Sequence, residues 1–327
     1  MQNVIRFAAI TCLLATGVSL STEARAACAT AGLKPYKVLI DWTNEPTYLG
    51  VYHAKFGCHF QKLGLDVTID QSQGANQAVA AVAAGRYPVA TASGGATVLA
   101  RNNKAEIVSL GVLYPRISTV VYGLATTGVK APADLVGKRI GIYPESINRN
   151  EFDAFVRVNR LNPQSFQIVS LSGSDIGALL SRSVDAALNY GEMSPMILAM
   201  SPDAKEVDGK RIFQLPLADF GVSGYGLNVV TSRATLAANN NQVRAVANAI
   251  FEGYKEGCAN RSAAVAEFAK EFPGKDATYV RDSWARACTI VGPAPGKQDA
   301  AGWQNTIDMY RSLGLLQAAV RPEEILP

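Results

Sequence analysis

Two carboxylates and two aromatics, Asp41, Trp42, Glu45 and Tyr48, fall close together in the run Asp-Trp-Thr-Asn-Glu-Pro-Thr-Tyr that starts at Asp41. Carboxylates accept hydrogen bonds from amino groups. Aromatic faces stack on flat rings, at about 0.5–1.5 kcal/mol per contact beyond area burial. No nucleophile–base pair accompanies them, so the chemistry they suit is recognition of something flat or polar. The run follows a short apolar stretch that predicts a first strand over 37–42. It precedes a helix expected over 49–63, closed by Gly64. Ligands of open α/β sheets bind at the carboxyl ends of strands, where these residues then stand. Asp41 can equally cap the following turn, and Trp42 can equally be core.

Other candidates share that placement. Ser93-Gly94-Gly95-Ala96-Thr97 offers bare amides at an expected helix start, where the dipole favours an anion or a polar oxygen; a plain tight turn is the other reading. No Gly-Lys-Ser/Thr follows, so it is not a phosphate loop. Ser146 and Asn148, and then Tyr190 and Glu192, each follow an expected strand and can donate to or accept from a solute. A buried Glu192 implies a donor partner, since an unpaired acid is costly to desolvate. Tyr114, Arg116 and Tyr225 flank expected chain crossings, with Arg116 read as a surface arginine and His53 as a packing residue.

Those residues need a scaffold, and composition bounds it. The 327 residues are 48% hydrophobic and 18% charged, ordinary globular composition and enough for two domains. A net charge of +4 without basic runs excludes a nucleic-acid footprint. Residues 1–26 carry a basic start, an apolar core and Ala24-Arg25-Ala26, the pattern of a secretory signal too short to span a bilayer. The mature chain is expected to be periplasmic. A lipid anchor on Cys28 is disfavoured, because Arg25 stands where that signal has an aliphatic residue. Beyond the leader four cysteines remain, Cys28, Cys58, Cys258 and Cys288, which allow three pairings. The sequence-local choice is Cys28–Cys58 with Cys258–Cys288; buried free thiols are the alternative. No spacing fits zinc, and no cofactor is expected.

Strand and helix alternate along the chain. Expected strands cover 66–70, 89–91 and 107–113, separated by helices over 77–84 and 96–101. The apolar run 120–125 leads into polar 126–131, taken as a crossing into a second lobe. There the alternation restarts, with Asp175 expected to cap a helix. Glycine-rich 221–226 reads as the return crossing, and the helices after it are expected to pack on the first lobe. Lobe 1 is thus 34–125 with 224–327, and lobe 2 is 126–223. The fold class is α/β: two doubly wound sheets joined by a two-strand hinge, the build of a protein that closes on a solute.

The chain resembles the solute-binding proteins of ABC importers that include binders of the thiamine pyrimidine precursor and their nitrate, taurine and alkanesulfonate relatives. The resemblance rests on Asp41-Trp42-Thr43 with Gly50, Tyr52 and Ala54, and on Asp134-Leu135-x-Gly137-Lys138-Arg139-Ile140-Gly141. Further along it rests on Ser183-Val184-Asp185-Ala186-Ala187, Tyr190-Gly191-Glu192 and Phe220-Gly221-Val222-x-x-Tyr225-Gly226-Leu227. It implies a two-lobed periplasmic binding protein of type II-like build, a monomer. Its partners would be a small-molecule ligand and the transmembrane subunits of an ABC permease. The pyrimidine branch usually has asparagine and histidine where this chain has Glu45 and Tyr48, which points to a cationic or differently decorated aromatic ligand, with sulfonates and aromatic carboxylates as the other option. Fungal pyrimidine synthases resemble the same family, but they carry a cysteine-rich motif and an active-site histidine that this chain lacks.

Overall fold

A computed structural model of the chain describes Cys28, residues 31–144 and residues 146–327. The expected leader, 1–26, lies outside the described residues.

The first half of the chain runs β1 (Lys34–Ile40), α1 (Leu49–Phe56), β2 (Leu65–Gln71), α2 (Ala75–Ala83), β3 (Val89–Ser93), α3 (Gly94–Asn102) and β4 (Ile107–Val112). It continues through β5 (Thr119–Leu124), β6 (Arg139–Ile142), α4 (Asn148–Val158), β7 (Gln167–Ser170), α5 (Asp175–Leu180), β8 (Ala186–Tyr190), α6 (Ser194–Met200) and β9 (Ile212–Pro216). The last part is β10 (Leu227–Ser232) followed by α7 (Arg233–Ala259), α8 (Arg261–Glu271), α9 (Ala277–Val291), α10 (Ala300–Ser312) and the short α11 (Pro322–Ile325).

Two five-stranded sheets result, ordered β2-β1-β3-β10-β4 and β7-β6-β8-β5-β9. In each, one strand runs against its neighbours: β10 is antiparallel to β3 and β4, and β5 is antiparallel to β8 and β9. Those are the strands that follow the two crossings. The first crossing is therefore 113–118, ahead of β5, and not after it as the apolar run 120–125 suggested. An apolar β-branched strand suits either sheet, and only its partners Tyr190 and Pro216 assign it.

Several local expectations shift. β1 starts and ends earlier than 37–42, so Trp42 lies in a bend beyond it. The helix expected over 49–63 stops at Phe56, because Cys58 takes a left-handed φ of 60°; a 3-10 turn, Gln61–Leu63, follows, and Gly64 ends it. Ser174, not Asp175, caps α5, accepting from the Gly177 amide at 3.1 Å. Both sequence-local disulfides are present, Cys28–Cys58 and Cys258–Cys288, with Cα atoms 5.3 and 5.4 Å apart. Each spans 30 residues, a loop whose closure is worth on the order of 3 kcal/mol. The first bridge also engages the Cys28 sulfur.

The C-terminal helices pack chiefly on the first lobe. α7, α8 and α9 cover the first sheet in one core with α1, built around Tyr254, Phe268 and Trp284. α10 likewise lies on the first lobe against α3, with Tyr310 on Gly95, and its Trp303, Ile307 and Tyr310 also reach the core that α4 fills in the second lobe. Helix α7 seats closely on α1 because both lack side chains at the contact. A Cβ on Gly253 would stand 2.2 Å from the Gly50 carbonyl oxygen and 2.8 Å from the Ala54 nitrogen. Backbone cannot yield as a side chain can, so Gly253→Ala should destabilise the protein by about 2–3 kcal/mol, the upper range for overpacking. Urea unfolding monitored by circular dichroism measures it, and a loss under about 0.5 kcal/mol would contradict this packing.

Candidate functional site

Between the lobes lies a small cavity lined by Asp41, Thr47, Tyr48, Ser93, Tyr114, Ile117, Ser118, Glu151, Tyr190, Glu192, Gly226 and Leu227. The first lobe supplies Asp41 just past β1, and the turn Pro46–Tyr48 that leads into α1. Pro46 presets that 3-10 turn, and Tyr254 of α7 fastens it by donating to the Thr47 carbonyl at 2.8 Å. The second lobe supplies Glu151 from α4, Tyr190 at the end of β8, and Glu192 in the turn before α6. Tyr114, Ile117, Ser118, Gly226 and Leu227 belong to the crossings or their edges.

One hydrogen-bond chain closes the cleft. Thr47 of the first lobe donates to Glu192 Oε1 of the second at 3.0 Å, and the Tyr114 hydroxyl lies 2.6 Å from the same Thr47 oxygen. Ser118 adds a donor to Glu192 Oε1 at 3.3 Å. The other oxygen, Oε2, is buried and accepts no hydrogen bond among the described residues, although the Tyr114 hydroxyl is near enough to favour the ionised acid. Asp41 is held by Thr91, which donates to Oδ1 at 2.5 Å and accepts from the Asp41 amide at 3.0 Å. Thr119 donates to Glu151 Oε2.

Three carboxyl groups therefore meet in one desolvated space, and no lysine, arginine or histidine is among the lining residues. Burial raises Asp41 and Glu192 above the usual carboxylate range, against the opposing pull of their hydroxyl donors. Burial pushes Glu151 up to about 7, with Thr119 opposing. Burial, then Glu151, Asp41 and Glu192 in turn, keep the Tyr190 hydroxyl protonated, which places one phenol within reach of all three acids. The arrangement offers acceptors to a solute that brings donors or positive charge.

The residues expected from sequence separate into two groups. Asp41, Tyr48, Ser93, Tyr114, Tyr190 and Glu192 surround the cavity. Trp42 is 43% exposed and is not among its lining residues. Glu45 turns instead to the first-lobe helices, accepting from Lys275 at 3.0 Å and Tyr279 at 2.8 Å. The glycine pair is not an open cradle. The Gly94 amide donates to Gly226 O at 2.6 Å, and a Cβ at Gly94 or Gly95 would strike Tyr225 O or the Tyr310 hydroxyl. The pair exists to let the hinge and α10 approach. Thr97 is buried below, donating to Ser93 O at 3.1 Å, while Ser93 caps α3. Asn148 is buried with its Oδ1 3.3 Å from Thr119 Oγ1, and Ser146 accepts from the Asn148 amide at 3.2 Å. Tyr225 packs edge-on against Trp303 and its hydroxyl pairs with Asp299. Arg116 pairs with Asp219 at the surface, and His53 is buried in α1 beside Glu267.

Thr47, Ser118 and Glu151 are lining residues that sequence reasoning passed over. Glu151 had a legible signal: Asn148, Glu151, Phe152 and Phe155 recur at helical spacing, so an acid occupies the buried stripe of α4. Three larger surface hollows, about 440 Å³ beside α4, about 250 Å³ at the crossings and about 240 Å³ beside Lys138 and Asp185, hold no buried charged group.

Two sheets clasping a shared cleft define the fold of periplasmic binding proteins. Solved structures share it. The periplasmic aliphatic sulphonate binding protein SsuA from Escherichia coli matches with TM-score 0.72 at 17% identity, over 90% of this chain and 92% of that one. The alkanesulfonate-binding SsuA from Xanthomonas axonopodis pv. citri, bound to MOPS, matches with TM-score 0.67 at 17% identity, over 90% and 98%. More particularly, the chain belongs to the NMT1/THI5 like family, whose model matches residues 45–264. A formylaminopyrimidine-binding protein of Halalkalibacterium halodurans is 23% identical over 97% of each chain.

Glu151 makes a measurable contribution to the pH dependence of folding. Its acid is easier to keep protonated folded than unfolded, so its stabilisation is full below about pH 4.5 and fades as pH rises through about 7. Raising an acid from 4.5 to about 7 corresponds to about 3 kcal/mol. Ligand-free protein should therefore lose stability to urea between pH 5 and pH 8, and Glu151→Gln should reduce that slope, with the raised Asp41 and Glu192 left to supply the rest. An unchanged slope in the variant would place the titration elsewhere.

Proposed function

We propose that this chain is the extracytoplasmic solute-binding component of an ABC-type importer. It captures a small, flat, amino-bearing heterocycle of the thiamine-pyrimidine-precursor kind between its lobes and delivers it, unaltered, to the transmembrane subunits of a permease. The leader expected over 1–26 would bring it to the periplasm. The observation that carries the reading is the cavity's charge: three desolvated acids, with no cation around them. A buried carboxyl is offset best by a donor or a positive group on the guest. The formylaminopyrimidine-binding relative supports the same class.

An organic anion fits less well, even though the fold is shared with sulfonate binders. It would enter among acids, and two of the first amides of α3 are already engaged, Gly94 with Gly226 and Ala96 with Ser93 at 3.2 Å. A binding role suits the cysteines too. All four beyond the leader are tied in bridges, which removes the clustered thiols of the pyrimidine synthases.

In this structure the cavity measures about 30 Å³, room for a water molecule or two. Small-molecule pockets run to about 300 Å³ or more. Admitting a ring means parting the lobes about the crossings and breaking the Thr47–Glu192 hydrogen bond, after which a donor on the guest takes the place of the Thr47 hydroxyl at Glu192.

A thermal-shift panel of aminopyrimidines, alkanesulfonates and aromatic carboxylates on the mature protein tests this. A solute at 100 times its Kd stabilises by about 2.7 kcal/mol, a rise of roughly 5 °C or more for a chain of this size. Aminopyrimidines should give it, and Glu192→Gln should weaken their binding at least about tenfold. A rise with sulfonates and none with aminopyrimidines would overturn the reading.

A further inference from the structure

Glu151 occupies an expensive position. It is 3% exposed on the face of α4 whose Phe152 and Phe155 fill the second-lobe core, where an apolar residue would complete the stripe. Every element packed around it brings a neutral group or another acid: Thr119 from β5, Asn148 from α4 itself, Tyr190 from β8 and Tyr310 from α10. Asp41 and Glu192 face the same cavity. Breaking even for a desolvated carboxyl takes a partner, and an unpaired one costs several kcal/mol. Glu192, whose Oε2 is buried and unbonded in that cavity, already meets one amino edge of the guest under the proposed function.

We infer that Glu151 is a second recognition group, and that the solute carries two nitrogens for two acids: a ring amino group at Glu192 and a protonated amine arm at Glu151. The inference rests on the proposed reading and adds the charge of the guest. A neutral aminopyrimidine would satisfy Glu192 and leave Glu151 a buried acid that contributes nothing to binding. A cationic arm pairs with it through a charge-assisted hydrogen bond.

Binding such a guest moves a proton. Without it, Glu151 is largely protonated below about pH 7. A cation brought within about 4–6 Å favours the carboxylate. The proton leaves Glu151 for solvent as the ammonium arrives, and the arm keeps its own proton, with a pKa like that of lysine, about 10. Affinity for the cationic guest therefore rises with pH up to about 7.

Titration calorimetry on the full mature protein tests this with two probes that share a 4-aminopyrimidine ring. One carries an aminomethyl arm, the other a hydroxymethyl arm. At pH 6.5, in two buffers of different ionisation heat, the aminomethyl probe should bind at least about tenfold tighter and release a proton. Glu151→Gln should cost that probe at least about tenfold more affinity than it costs the hydroxymethyl probe, and abolish the proton release. If both probes bind the wild type equally, or if binding releases no proton, the inference fails while the proposed function stands; this comparison needs no variant. If neither probe binds, both fall together.

Discussion

Carboxyl groups from two lobes share one dry space in this protein, and the rest of the architecture follows from keeping them there. Asp41 comes from the first sheet and Glu151 and Glu192 from the second lobe, so no local segment contains the set. Each acid alone would be an ordinary surface residue. Burying them together costs desolvation, which hydroxyl donors reduce and do not cancel. A fold that carries such a cost at its centre is storing an unfavourable term that a suitable guest can release.

The supporting structure is built to hold that arrangement rather than relax it. Tyr254 is fully buried, packs on Trp284 and reaches across to fix the Thr47 carbonyl, so the turn bearing Thr47 and Tyr48 is set by a helix more than 200 residues later in the chain. The Gly50 and Gly253 contact lets that helix come near enough to do it. On the other side, α10 spans both lobes, with Tyr310 over Gly95 and Trp303 in the second core. At the two crossings glycines accommodate close backbone: Gly226 beside Arg116 O, and Gly94 under Tyr225 O.

Much of this was legible in the sequence. Apolar periodicity and turn residues marked the strand–helix alternation, the return crossing and most helices, and the sequence-local cysteine pairing is the one present. The failures share a cause. β5 was put in the wrong sheet because its residues pack equally well in either. Glu45 looked like a cleft acid until Lys275, 230 residues away, proved to be its partner. Gly94-Gly95 looked like an anion cradle because a glycine pair needed for close packing has the same spelling as one needed for a ligand. Local pattern identifies which residues can do chemistry; long-range packing decides which of them face the guest.

That distinction bears on how one fold serves opposite charges. Proteins named for sulfonate binding share this fold over about nine-tenths of the chain, so the backbone alone would not select an amine over an anion. Selection lies in two substitutable details. One is whether the amides at the start of α3 are free or spent; here Gly226 and Ser93 spend two of them. The other is what the second lobe presents opposite the first, and here it presents Glu151 and Glu192. Under the proposed function, changing the sign of both details would reverse the preference without moving a strand, because electrostatic selectivity in a dry cleft depends on a few side chains and very little on the sheet beneath them.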